Sequence, residues 1–123
     1  TSSPTGRDAA LMGYPIRITE MLAQLPGVTY AARGTIADVA SISKLKAMMR
    51  RACQVQIDGG GFALVEALSN CPVGWGMTPQ QSLDHLKGPV VEAYPVGVIV
   101  DRGTCGPAPA PHAGCPAPAR PED

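Results

Sequence analysis

Gly61-Phe62-Ala63-Leu64-Val65-Glu66-Ala67-Leu68 runs directly into Ser69-Asn70-Cys71-Pro72-Val73-Gly74-Trp75-Gly76-Met77, and this stretch decides the fold. Its first part is of strand length and almost continuously apolar, the pattern of a parallel strand buried on both faces. Its second part is a loop of small residues around a cysteine and a tryptophan. It sits at the C-terminal end of that strand, where open α/β sheets place ligands and cofactors.

Upstream, Asp58-Gly59-Gly60-Gly61 ends a long helix predicted from about Asp38 to Ile57, since glycine tolerates a left-handed C-terminal cap. Ile42, Leu45, Met49 and Ala52 form its expected buried stripe, with Met48 and Val55 on the margin. Lys44, Lys46, Arg50 and Arg51 face outward. Before that helix, Val28-Thr29-Tyr30-Ala31-Ala32-Arg33 is a β-branched and aromatic run that reads as a strand. A first helix opens with Pro15 in its first turn, buries Ile18, Met21, Leu22 and Leu25 at helical spacing, and stops at Pro26-Gly27. The polar segment up to about Gly13 reads as loop.

Downstream, Thr78-Pro79-Gln80-Gln81 supplies an N-cap, a proline at the first helical position and a capping-box glutamine. Leu83 and Leu86 give that helix its apolar face, and Gly88-Pro89 is expected to end it. Tyr94-Pro95-Val96-Gly97-Val98-Ile99-Val100 reads as a last strand, its proline suited to a strand start or an edge. From Gly103 the chain is rich in Pro, Ala and Gly with almost no large apolar residue. Such sequence cannot offset its ordering entropy by burial, so a disordered tail is expected. The domain plan is therefore a loop over 1–13, an α/β unit over 14–102 and a Pro/Ala-rich tail over 103–123.

Composition narrows the function classes. The 123 residues suit one domain, and their formal net charge is zero. That balance argues against nucleic acid as a partner, because phosphate neutralisation needs a basic surplus. It also gives little colloidal repulsion, which suits self-association or a large complex. No apolar run approaches the roughly 20 residues of a membrane span. The segment Thr1-Ser2-Ser3-Pro4-Thr5-Gly6-Arg7-Asp8 has no initiator Met and no signal-peptide pattern, so a processed chain or a fragment is expected.

Candidate chemistry is sparse. His85 falls within a helix and His112 in the tail, and neither has an evident partner to make it a general base. No nucleophile elbow, Walker loop or HExxH pattern is present. The Gly59-Gly60-Gly61 run lies between a helix and a strand, the reverse of the order a phosphate cradle needs. Cys53, Cys71, Cys105 and Cys115 contain no CxxC pair, so a self-contained zinc or iron–sulfur loop is not expected. Cys71 stands apart by its surroundings. Pro72 keeps its backbone extended, Gly74 and Gly76 let backbone amides approach a cluster sulfur, and Trp75 can exclude water. From the residues alone two readings of Cys71 stay open, a metal ligand completed from elsewhere or a packed free thiol.

The stretch Gly61–Pro79, with its Cys-Pro-x-x-Trp-Gly motif, resembles the thiamine-diphosphate-binding β subunits of 2-oxoacid:ferredoxin (or other acceptor) oxidoreductases. Gly6-Arg7-Asp8, Gly13-Tyr14-Pro15-Ile16 and Tyr94-Pro95-Val96-Gly97-Val98 are similar to that family too, in register from about Thr5 to Asp101. The resemblance implies the C-terminal half of a Rossmann-like thiamine-diphosphate-binding domain, with a partial parallel sheet and flanking helices. Members decarboxylate a 2-oxoacid oxidatively to an acyl-CoA, using thiamine diphosphate, Mg²⁺ and [4Fe–4S] clusters, and pass electrons to a ferredoxin-like acceptor. The motif position of their late cluster cysteine matches Cys71. The Gly-Asp-Gly…Asn motif for Mg²⁺ and diphosphate and the earlier cysteines have no counterpart here and would lie before Thr1. The resemblance therefore implies a cytoplasmic subunit piece, of 2-oxoglutarate or branched-chain type, with no catalytic residue of its own and inactive alone. Its expected partners are the N-terminal half of the β subunit, the α subunit, the acceptor and coenzyme A. The alternative is a non-enzymatic α/β interaction module that docks through its sheet edge and tail. A thiol redox pair of Cys105 and Cys115 is disfavoured by their flexible setting.

Overall fold

The computed structural model describes residues 8–103. The tail, with Cys105, His112 and Cys115, lies outside them. The elements in order are α1 (Ala9–Met12), α2 (Ile18–Ala23), β1 (Val28–Thr35), α3 (Val39–Ile57), β2 (Phe62–Leu68), α4 (Pro72–Trp75), α5 (Pro79–His85), a π-helical turn (Leu86–Val90), α6 (Val91–Ala93) and β3 (Gly97–Asp101). The opening segment expected as loop holds the single turn α1, which Asp8 starts by accepting the backbone N–H of Ala10.

The sheet has three strands in the order β2-β1-β3. β1 and β2 are parallel, joined by the α3 crossover. β3 runs antiparallel to β1, so the sheet is mixed where a parallel one was expected. The reason lies in where the chain returns. Gly97 pairs with Arg33 near the end of β1, and Asp101 pairs with Tyr30 near its start. A chain that enters at the C-terminal end of a neighbour can only run back along it.

β1 is the strand buried along its whole length, whereas β2 is half-exposed. This corrects the expectation for Phe62–Leu68. β2 pairs with β1 alone, and Phe62 at its start is exposed.

Successive side chains of a strand point to opposite faces, and β1 uses both. Tyr30 and Ala32 pack with Val55 against Met48 and Ala52 of α3. Gly34 lies on the same side, where a Cβ would come within 2.8 Å of Leu45 Cδ1, so the glycine sets the helix–sheet distance. On the other face Ala31 packs with Ala23 and Val28, against Ile99 and Val100 of β3. Burial of these apolar surfaces, at roughly 25 cal/mol per Å², holds a layered α/β unit.

Two helices present faces other than those their periodicity suggests. α2 turns Thr19 and Ala23 inward and leaves Ile18, Met21 and Leu25 about half exposed. The cause is Arg33, which sits on this face of β1 and is fully buried. An unpaired buried guanidinium is strongly destabilising, so the short helix is set by the Glu20 side chain that pairs with it. In α3, Leu45 and Val55 are buried while Met49 is exposed. Leu45 and Ala52 pack inward as expected, and Met48 and Val55, placed on the margin, join them in place of Met49. Lys44, Lys46 and Arg50 are exposed as expected. Arg51 is instead held to Asp101 of β3 by two hydrogen bonds of 3.0 and 2.8 Å.

The α3 stop behaves as read. Gly60 N–H donates to Val55 O at 2.8 Å, and Gly61 takes φ +100° where a Cβ would lie 2.8 Å from Thr29 Oγ1. Downstream, Gly88-Pro89 does not end the helix. The chain continues through the π-helical turn with Pro89 inside it and on into α6. A wider turn tolerates the backbone N–H that is missing at Pro89. β3 accordingly begins at Gly97 rather than Tyr94.

Candidate functional site

The loop after β2 folds into a compact turn. Cys71 precedes α4, with Pro72 in its first position. Trp75 N–H donates to Cys71 O at 3.0 Å, and Met77 N–H to Pro72 O at 2.9 Å. Gly76 closes the turn in the left-handed conformation, φ +63° and ψ +34°, which glycine adopts without a Cβ penalty. The stretch read as plain loop is thus one helical turn bounded by two glycine-dependent contacts. The other is Gly74, where a Cβ would stand 2.8 Å from Cys71 Sγ. Only glycine lets the backbone lie that close to the thiol.

Cys71 itself is exposed and carries no disulfide. Its sulfur is therefore reachable from outside this chain, unlike a thiol used as core filler. The loop is anchored on both sides. Asn70 Nδ2 donates to Ser82 Oγ at 2.8 Å, and Ser82 Oγ donates to Pro79 O at 2.8 Å. Ser82 is fully buried. Thr78 and Gln81 form the reciprocal capping box that their sequence announces, at 3.0 and 3.3 Å. The residue before Cys71 is thus fixed to a capped helix. Asn70 and Ser82 went unnoticed in the sequence because their spacing of 12 positions follows no local pattern.

Trp75 packs edge-on against His85, with ring centroids 5.1 Å apart at 71°. His85 therefore has a packing role, and among the described residues no carboxylate is hydrogen-bonded to it. Together with Gly76, Met77, Gln81 and Asp84 these rings line a wide cavity of about 580 Å³. Cys71 is not on its wall.

Among the described residues no group of three or more His, Cys, Asp or Glu side chains comes together to hold a metal ion. Cys53 is exposed on α3, away from the Cys71 loop. A metal or cluster at Cys71 would thus receive one ligand from the described residues. The donor itself fits, being an exposed thiol beside the Gly74 backbone.

A charge network is built around the buried Arg33, whose carboxylate partners are partly exposed. Arg33 donates to Glu20 from Nη1 at 2.7 Å and Nη2 at 2.5 Å, and from Nε to Glu66 Oε2 at 2.7 Å. Thr19 Oγ1 also donates to Glu66 Oε2. Pro95 O accepts from Arg33 Nη1 at 3.3 Å, and the guanidinium carbon lies 5.3 Å from the Tyr94 ring centre, a cation–π distance. The Arg33 hydrogen bond holds the Glu20 carboxyl below its ordinary range. The same contact, outweighing burial, raises the guanidinium's own proton affinity. One side chain thereby ties α2, β1, β2 and the segment leading into β3 together.

Among the described residues no helix is long and apolar enough to cross a membrane. Over 101 residues, 82 % of its length, the chain is 36 % identical to ketoisovalerate oxidoreductase subunit VorA of Methanothermobacter marburgensis. Over 99 residues, 80 % of its length, it is 34 % identical to the subunit of the same name in Methanothermobacter thermautotrophicus. The chain spans 21 % of the length of each of these relatives. No protein-family model and no solved structure matches it.

Proposed function

We propose that this chain is part of a 2-oxoacid:acceptor oxidoreductase, of the thiamine-diphosphate-binding β type, in which Cys71 supplies one thiolate to a [4Fe–4S] cluster. The observation that carries the reading is the exposed Cys71 thiol on a turn built for close backbone approach. The similarity to VorA over four-fifths of the chain supports the enzyme class. The name of those relatives favours a branched-chain 2-oxoacid over 2-oxoglutarate. In the proposed assembly the cluster contributes one-electron transfer. The chain's own part is to hold the Cys71 sulfur through Asn70, Ser82 and Gly76, and to keep water from one side of it with Trp75. The remaining cluster cysteines, the Mg²⁺ and diphosphate motif and the coenzyme A site belong to the rest of the subunit and its partners. The half-exposed apolar side chains Ile18 and Met21 on α2, and Leu25 just after it, suit a chain that works within an assembly.

The test is anaerobic iron–sulfur reconstitution of the chain co-expressed with a polypeptide bearing the missing motifs. The pair is expected to show the visible absorbance and electron paramagnetic resonance of a [4Fe–4S] cluster, and Cys71→Ala to lose them. Cys53→Ala should retain them. A Cys71→Ala assembly with an intact four-cysteine cluster would overturn the proposal. The interaction-module alternative would be favoured if partner capture occurred with no cluster at all and no effect of Cys71→Ala.

A further inference from the structure

β2 is an edge of the sheet, and two hydrogen bonds fix which of its backbone groups face outward. Phe62 N–H donates to Gly27 O at 3.0 Å, and Leu68 O accepts from Ile36 N–H at 3.1 Å. Both groups therefore point to the β1 side. Backbone direction alternates along a strand, so Phe62, Leu64, Glu66 and Leu68 turn their N–H and C=O to β1. Ala63, Val65 and Ala67 turn theirs the other way. The irregularity in the pairing, between Val28 and Tyr30, lies in β1 and leaves this alternation intact. Among the described residues no strand lies on that side of β2.

An open edge is a template for another strand, and proteins that keep one free guard it with lysine, proline or a bulge. β2 has none of these. Its one charged side chain, Glu66, is turned to Arg33. The rest is apolar, the pattern of a parallel strand covered on both faces, yet Phe62 is 52 % exposed. At the foot of the same edge lies a mostly apolar groove of about 370 Å³, lined by Ala52, Cys53 and Gln56 of α3 and by Phe62 and Ala63 of β2. Edge and groove form one surface, since Phe62 and Ala63 belong to both.

The occupant can be narrowed. The chain after Gly103 carries six prolines, each without the N–H that a ladder needs. A second copy meeting this edge across a two-fold axis would lie antiparallel to it, which the nearly unbroken apolar run of β2 does not favour. The chain spans 21 % of the length of each VorA relative, so the oxidoreductase reading leaves most of the subunit to supply a strand. We propose that the free edge of β2 takes up a strand of that remaining polypeptide, parallel to β2. The strand pairs with the N–H and C=O groups of Ala63, Val65 and Ala67, and an apolar side chain fills the groove beside Phe62. The identity of the partner rests on the oxidoreductase reading, whereas the position of the edge does not.

The experiment compares the full 123-residue chain, alone and co-expressed with the polypeptide bearing the missing motifs, by residue-resolved amide hydrogen exchange. Alone, the amides of Ala63, Val65 and Ala67 should exchange fast, and those of Leu64, Glu66 and Leu68 slowly. In the pair all six should be slow, in the Cys71→Ala chain as well. Ala67→Pro removes an outward N–H at an exposed position and no bond to β1, and should weaken capture of the polypeptide at least about tenfold. Phe62→Lys, in the groove, should also weaken capture, and it decides the matter if Ala67→Pro does not fold. Val98→Lys, exposed on β3 at the opposite edge, should leave capture unchanged. A pair that forms its cluster while Ala63, Val65 and Ala67 still exchange fast overturns this proposal and leaves the oxidoreductase reading standing. Slow amides in a pair that forms no cluster do the reverse. A chain that dimerises alone, with the dimer broken by Ala67→Pro, would assign the edge to a second copy and overturn the proposal.

Discussion

The β1–α3–β2 unit and the excursion from Cys71 to Tyr94 are built on opposite principles. In the first, every residue of β1 is buried, helices cover parts of both faces, and a guanidinium with two carboxylates stitches four segments together. In the second, four short elements follow one another with little core of their own, and much of their order comes from caps and glycine turns. The first region can carry a large error in one side chain only at great loss of stability. The second exposes its thiol and keeps its shape by local hydrogen bonds. A scaffold and a chemical loop are separable here because tertiary burial stabilises one and local backbone chemistry the other.

Substitutions should reveal that separation in order of size. Arg33→Met leaves Glu20 and Glu66 without their cation and removes the Tyr94 and Pro95 contacts. A loss on the order of 3 kcal/mol is expected in urea unfolding, the lower end for breaking a buried pair because both carboxylates can rehydrate. Gly61→Ala should lose about 2 kcal/mol, from a positive φ and a Cβ forced against Thr29 and Gly27. Thr78→Ala, which removes the α5 cap, should lose about 1 kcal/mol. If Thr78→Ala proved as damaging as Arg33→Met, the two regions would be one cooperative unit and the contrast would be lost.

Acid sharpens the same contrast. The folded Glu20 carboxyl titrates below its ordinary 4.5, chiefly through its Arg33 hydrogen bond. A carboxylate with a lowered folded pKa adds stability that is complete above its unfolded value and is lost as pH falls through the folded one. Wild-type chain should therefore lose stability as pH drops below about 4.5. The Asp101 carboxyl, lowered by Arg51, adds in the same direction at somewhat lower pH. The Arg33→Met variant should show a smaller fall over this range, measured as the urea midpoint at successive pH values.

Much of the local structure was legible. The α3 boundaries, the Pro/Gly stop after the first helix and the Thr78–Gln81 cap all follow from residues within a few positions of one another. Cys71 could be singled out from its neighbours, and the structure leaves it exposed and free. Less could be read where a partner lies far along the chain. The α2 stripe of Ile18, Met21 and Leu25 gave a regular helical pattern, yet the helix follows Glu20 to Arg33 instead. Gly88-Pro89 reads as a stop, but a π-helical turn absorbs it. Thr35 lies just past the Val28–Arg33 run read as a strand, and nothing beside it in sequence indicates a buried hydroxyl without a partner.

By itself, then, the sequence determined the longer helices and strands and the Thr78–Gln81 cap, because propensity, capping and glycine freedom act between near neighbours. Tertiary structure alone decided which face α2 turns inward and that β3 runs antiparallel. Those outcomes depend on pairing a buried charge and returning the chain to a strand end, interactions whose partners are brought together only when the sheet forms.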